Sequence, residues 1–209
     1  SKEYFDNFET NRNRYIKLFT TAENYLKKIF EKITTLNLMD DSLVLIISDH
    51  GISIGEKMGE RAYGAFCYDY TLKTLCYFLI PNLQPKNIIT QIRSIDYMPT
   101  ILDLLKIKFD QNFEKIDGKS LLPLINDKKN SEEIAFSETG NPRTDDRPSE
   151  EPNVKSIRTS DWKFISNEHN NTEELYNLKI DPNEKNNIIC EDIEIKELLK
   201  KKLDSFQKK

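Results

Sequence analysis

Cysteine is scarce. Cys67, Cys76 and Cys190 form an odd set of three with no CxxC spacing, which excludes a disulfide framework and a thiolate zinc site. They read instead as small buried hydrophobes. Histidine is scarcer still, with His50 and His169 alone, so no three-histidine zinc site can be built within the chain. No apolar run approaches the ~20 residues that a membrane-crossing helix needs. Basic residues are not concentrated either: the formal net charge is −4 with both signs interspersed, and the basic stripe of a nucleic-acid surface is missing. The Lys200–Lys202 run reads as the solvated side of a terminal helix. Internal repeats are absent.

What is present is a globular composition, 37% apolar and 32% charged over 209 residues. That length supports a real core without disulfide or metal staples. Tyr15, Leu18, Phe19, Ala22, Leu26, Ile29, Phe30, Ile33 and Leu36 recur at three- and four-residue steps, predicting a helix near 12–36 with a wide apolar face. Turn formers at 38–42 end it. The continuous apolar run Leu43–Ile47 then suits a strand covered on both faces, as in a parallel α/β sheet. A second strand is expected at Thr74–Ile80, stopped by Pro81. A helix over roughly 97–106 follows, capped by Ser94 or Asp96, with Pro99 tolerated in its first turn.

The character changes near residue 130. An extended loop at 139–153 is flanked by short strands at Ile134–Ser137, Ser156–Thr159, Trp162–Ser166 and Glu174–Asn177. A helix near 191–206 closes the chain, its apolar side formed by Ile195, Leu198, Leu199, Leu203 and Phe206. The expected division is an α/β portion at 1–129 and a small antiparallel-plus-helix subdomain at 130–209.

The first strand runs directly into Ser48-Asp49-His50-Gly51. In open α/β sheets, ligand sites gather beyond the carboxyl ends of strands. A carboxylate beside an imidazole is a common ligand pair for a hard or borderline metal. The same dipeptide also serves as a hydrogen-bonded turn, and the residues alone leave both readings open.

Leu43–Gly51 resembles the sulfatase branch of the alkaline phosphatase superfamily, where an apolar strand enters Ser-Asp-His-Gly or Ser-Asp-Asn-Gly. The resemblance continues in order. Ile54-Gly55-Glu56 is similar to the Leu-Gly-Glu that follows, and Tyr68-Asp69 through Pro81 to a Tyr-Glu stretch with a strand ending in Pro. Asp96-Tyr97-Met98-Pro99-Thr100 resembles the start of a family helix. Asp117-Gly118-Lys119-Ser120-Leu121-Leu122-Pro123 resembles a family Asp-Gly-x-Ser-Leu-x-Pro segment. Ile157–Phe164, Glu174–Leu178 and Asp181–Asn187 resemble the C-terminal subdomain.

The resemblance implies a portion of an alkaline phosphatase-like three-layer α/β sandwich and a metal-dependent hydrolase of sulfate esters. It implies a divalent cation, often calcium, with zinc, magnesium or manganese as alternatives, and makes Asp49 and His50 metal ligands. The family nucleophile is a formylglycine made in a Cys/Ser-x-Pro-x-Arg motif. None of the three cysteines sits in that motif, so the nucleophile and a first Asp pair are expected upstream of Ser1, and the chain by itself is not expected to turn over substrate. Where the family continues Gly-Glu with His and a later Lys, this chain has Gly55-Glu56-Lys57-Met58-Gly59-Glu60-Arg61. Lys57 and Arg61 are therefore the candidates for contacting a small anionic ester, as an ammonium point charge or a guanidinium fork. Arg143, Asp145, Asp146 and Arg147 lie on the long loop, whose character alone makes it a candidate border of the substrate entrance.

Two further readings remain. One is phosphoryl chemistry on the same scaffold, as a phosphodiesterase, phosphonate monoester hydrolase or phosphoethanolamine-type transferase. The other is a non-catalytic truncated fragment. Arg158, Trp162 and Tyr176 are expected to fasten the subdomain, and Asp117 to shape a turn.

Overall fold

A computed structural model describes residues 7–60, 62–108, 116–128, 132–140, 153–168 and 170–207. Arg61, His169 and the loop positions Arg143, Asp145, Asp146 and Arg147 lie outside these residues. The chain clusters into two compact units, 1–85 and 86–209.

The first unit opens with helix α1, Phe8–Thr35, a stretch free of glycine and proline that can propagate without a break. It stops where Asn37 enters the left-handed region at φ 55°. There the Leu36 and Leu38 N–H groups return to the Lys32 and Ile33 carbonyls, a common helix ending. The periodicity predicts the helix but not its cover: Leu18, Phe19 and Ile29 are exposed, and Asn11 is the buried residue of the helix among those described. The Asn11 amide donates to the Ile54 carbonyl at 3.1 Å, tying α1 to the turn beyond the first strand.

Strand β1, Val44–Ile47, pairs with β2, Cys76–Leu79, in register Val44↔Leu79 to Ile47↔Cys76. This corrects the parallel, doubly covered strand expected from the apolar run. The pair is antiparallel, and β1 is half-buried, with Ile47 exposed. A continuous apolar run records an appetite for cover on both faces but says nothing of strand direction. Between the strands lies one helical turn, α2, Asp69–Leu72.

In the second unit, α3 (Tyr97–Leu104) and the short α4 (Leu122–Ile125) pack side by side. Asp96 makes no side-chain cap on α3 itself but closes the start of the 3-10 turn Ser94–Asp96 that leads into it. Its buried carboxylate gathers the Arg93 N–H at 3.0 Å, the Arg93 guanidinium at 2.8 and 3.1 Å, and the Lys119 N–H at 2.9 Å. The hydrogen bond to Asp96, with its charge, raises the Arg93 pKa against the opposing effect of burial. Thr100 Oγ1 donates to the Asp96 carbonyl and accepts the Leu121 N–H, at 2.6 and 2.8 Å. The Asp117–Leu121 segment is thereby fastened to the start of α3.

The remaining strands form an antiparallel meander, β3 (Ala135–Thr139), β4 (Val154–Arg158), β5 (Trp162–Asn167) and β6 (Thr172–Asn177). Helix α5, Ile193–Gln207, lies against β4 and β5. Ile157, Phe164 and Leu175 from the sheet meet Leu199 and Leu203 from the helix in a buried core. Each such side chain is worth roughly 1.5–3 kcal/mol of burial. Phe206 stacks on Phe136 at 4.0 Å, holding the end of α5 against β3. Arg158 donates to Gln91 and to the Thr159 carbonyl, and Tyr176 to Glu174. Of the cysteines, Cys67 is buried and Cys76 half-buried, but Cys190 is exposed in the turn before α5, contrary to the expectation of three buried side chains.

Glu173 on β6 receives Lys200 at 2.5 Å and Lys196 at 3.0 Å from α5. The Lys200 hydrogen bond leads in lowering the Glu173 pKa. A carboxylate with a depressed folded pKa lends stability above its unfolded value of about 4.3, and that stability is lost as pH falls through the folded value. Urea unfolding should therefore show stability declining below about pH 4.3, with a shallower decline in Glu173→Gln.

Candidate metal and anion site

The site is built on the stitch between β1 and α2. Ser48 N–H donates to the Leu75 carbonyl at 3.1 Å, and the Leu75 N–H returns to Ser48 Oγ at 2.8 Å. Gly51 N–H donates to the Thr71 carbonyl at 2.8 Å. The chain passes so close there that a Cβ on Gly51 would lie 2.2 Å from the Tyr70 carbonyl oxygen. Glycine is required by this approach.

Asp49 and His50 project from this stitched turn. The Asp49 side chain is 87% exposed, and its Oδ1 accepts the His50 N–H at 2.9 Å. His50 Nδ1 lies 2.6 Å from the Gly51 carbonyl oxygen. A carbonyl only accepts, so this contact places a proton on Nδ1 and leaves Nε2 as the ring nitrogen that can bind a cation. Nε2 lies 3.7 Å from Asp49 Oδ2. One imidazole nitrogen and one carboxylate oxygen thus converge, a donor set that fits part of a divalent-cation shell. Among the described residues, no group of three or more His, Cys, Asp or Glu side chains is arranged to hold a metal ion.

The next turn is organised by Glu56. Its Oε2 accepts Ser53 Oγ at 2.9 Å and the N–H groups of Ile54 and Gly55 at 2.8 and 3.1 Å. Lys57 follows, half-buried, with its ammonium 4.2 Å from the centroid of the Tyr68 ring. Tyr68 is buried, stacks on Tyr70 at 5.5 Å and meets Phe66 edge-on at 6.3 Å. The Lys57 charge therefore rests on an aromatic platform. Sequence reasoning singled out Lys57 but not Tyr68, nor Tyr63, whose ring meets His50 edge-on at 5.5 Å. The density of aromatics over 63–70 was the available signal.

Comparison with known proteins places this geometry in context. The family described as "N-sulphoglucosamine sulphohydrolase, C-terminal" matches residues 65–209, and the family "Sulfatase" matches residues 1–107. The choline-sulfatase of Rhizobium meliloti (strain 1021) is 24% identical over 88% of this chain and 34% of its own length. The chain thus spans about a third of that relative. Among solved structures, that described as "putative sulfatase yidJ from Bacteroides fragilis" aligns with a TM-score of 0.75 at 19% identity, covering 97% of this chain and 43% of that one. The phosphonate monoester hydrolase of Agrobacterium radiobacter aligns with a TM-score of 0.68 at 21% identity, covering 87% and 38%. The mixed α/β fold is that of the alkaline phosphatase-like superfamily. Two family matches that together run from residue 1 to residue 209 leave one assignment: this chain belongs to the sulfatase family.

Proposed function

We propose that the protein is a metal-dependent hydrolase of sulfate esters, to which this chain contributes two metal ligands and one anion contact. The observation that carries the reading is the approach of His50 Nε2 to within 3.7 Å of the exposed Asp49 carboxylate at the end of β1. With Nδ1–H committed to the Gly51 carbonyl at 2.6 Å, Nε2 is left facing the exposed Asp49 carboxylate. Asp49 and His50 hold the cation, which when bound supplies polarisation of an ester oxygen. Calcium suits the carboxylate, while imidazole also serves zinc or manganese. Lys57 supplies a positive charge to the sulfate oxygens. Its seat on Tyr68 limits the side-chain freedom that would otherwise be lost on binding. The nucleophile is contributed by residues outside these 209.

The test is hydrolysis of 4-nitrophenyl sulfate and 4-nitrophenyl phosphate by the full-length protein. The sulfate ester should be turned over preferentially, and a chelator should abolish the activity. Lys57→Ala should raise KM about tenfold or more, the scale of a lost charge-assisted hydrogen bond. Preferential phosphate turnover would move the protein to phosphoryl chemistry.

A further inference from the structure

Tyr63 is 73% exposed, yet its backbone neighbours are fixed on both sides. The Ala62 carbonyl accepts the Ser53 N–H at 2.9 Å. Gly64 adopts φ 88°, and a Cβ there would come within 2.9 Å of the side chain of the buried Thr71. Thr71 is in turn the residue whose carbonyl takes the Gly51 N–H. The exposed ring is therefore carried on a pinned segment tied to the same stitch that carries His50. It is oriented by its edge contact with the imidazole, at 5.5 Å and an interplanar angle of 70°. Holding a large aromatic in water on a constrained segment gains nothing for the core. A pre-oriented aromatic face beside a reaction centre is what recognition of an apolar, flat ligand group requires.

We propose that Tyr63 is a specificity-determining residue, stacking against a six-membered ring in the alcohol half of the ester. The inference rests on the proposed site at Asp49 and His50 and names the substrate class for it. A ring fits this arrangement better than a quaternary ammonium group, which is recognised by several aromatic rings enclosing one point. Among the described residues, the ring that Tyr63 meets is that of His50. The hydroxyl is not needed for stacking, so phenylalanine and tryptophan should serve in its place.

The test uses the full-length protein with phenyl sulfate and choline sulfate as probes. Binding is followed by saturation-transfer NMR and turnover by sulfate release. Tyr63→Ala should weaken phenyl sulfate, as Kd and KM, about fivefold to tenfold, the scale of one aromatic contact. It should leave kcat within about twofold and choline sulfate unchanged, and Tyr63→Phe and Tyr63→Trp should restore the wild-type values. Equal losses on both probes would overturn the inference, because Tyr63 would then act only by supporting His50. Unchanged phenyl sulfate binding, or no binding by the wild type, would also overturn it. Tyr63-dependent binding without turnover would retain the ring contact while rejecting the sulfatase reading.

Discussion

Lys163→Met is expected to destabilise the protein by about 3–5 kcal/mol, the cost of breaking a buried ion pair from one side. Lys163 on β5 is 0% exposed, and its ammonium lies 2.8 Å from Glu184 Oε1, itself 1% exposed. Glu184 is delivered by a tight loop held by Asp181, whose carbonyl takes the Glu184 N–H at 3.2 Å and whose carboxylate takes the Asn186 N–H at 2.8 Å. Asn187 then rejoins the sheet by accepting the Leu175 N–H at 2.9 Å. Removing the cation leaves a carboxylate at a site with almost no access to water. Trp162, the single tryptophan of the chain, is the residue before Lys163, so its fluorescence during urea unfolding reads this unit directly. Lys163→Met combined with Glu184→Gln should recover much of the loss, since replacing both partners of a buried pair is often close to neutral. A single variant as stable as the wild type would show the pair to be dispensable.

Gly51→Ala should cut kcat/KM of the full-length protein by about a hundredfold, the scale expected when a reacting group is displaced by about an ångström. The added methyl would meet the Tyr70 carbonyl carbon at 3.0 Å and the Lys73 carbonyl oxygen at 3.2 Å, as well as the Tyr70 oxygen at 2.2 Å. All three contacts are backbone, so no rotamer change relieves them. The turn must move away from α2. That breaks the Gly51 N–H bond to Thr71 and shifts the carbonyl that His50 Nδ1 meets at 2.6 Å. Retained far-UV circular dichroism with lost activity is the expected pair of readings. Full activity would mean that the imidazole does not depend on this close approach.

The elements were legible to different depths because they are specified at different ranges. The helix at 193–207 declares itself locally, through Leu199 and Leu203 on one face, and the four antiparallel strands are marked by short runs between turn formers. The direction of β1 was not legible, since Leu43–Ile47 reads the same whichever way its neighbour runs. The Asp96 assignment was incomplete for a related reason. An acid just before a helix suggests a cap, whereas its actual partners, Arg93 and Lys119, include one 23 residues away. Asp49, His50 and Lys57 could be singled out because their residue types carry chemistry. Tyr63 and Tyr68 could not, because an aromatic ring acquires its role from what it touches. Arg61, the fourth residue singled out, lies outside the described residues.

The central claim is that Asp49 and His50 are metal ligands, and calorimetric titration with calcium is its most direct test. The metal-free full-length protein should be compared with Asp49→Ala and His50→Ala, and the titration repeated with zinc, magnesium and manganese. Each substitution should weaken binding of the preferred cation by about tenfold or more, the scale at which even supporting residues of a metal site matter. Three proteins with indistinguishable affinities would contradict the assignment.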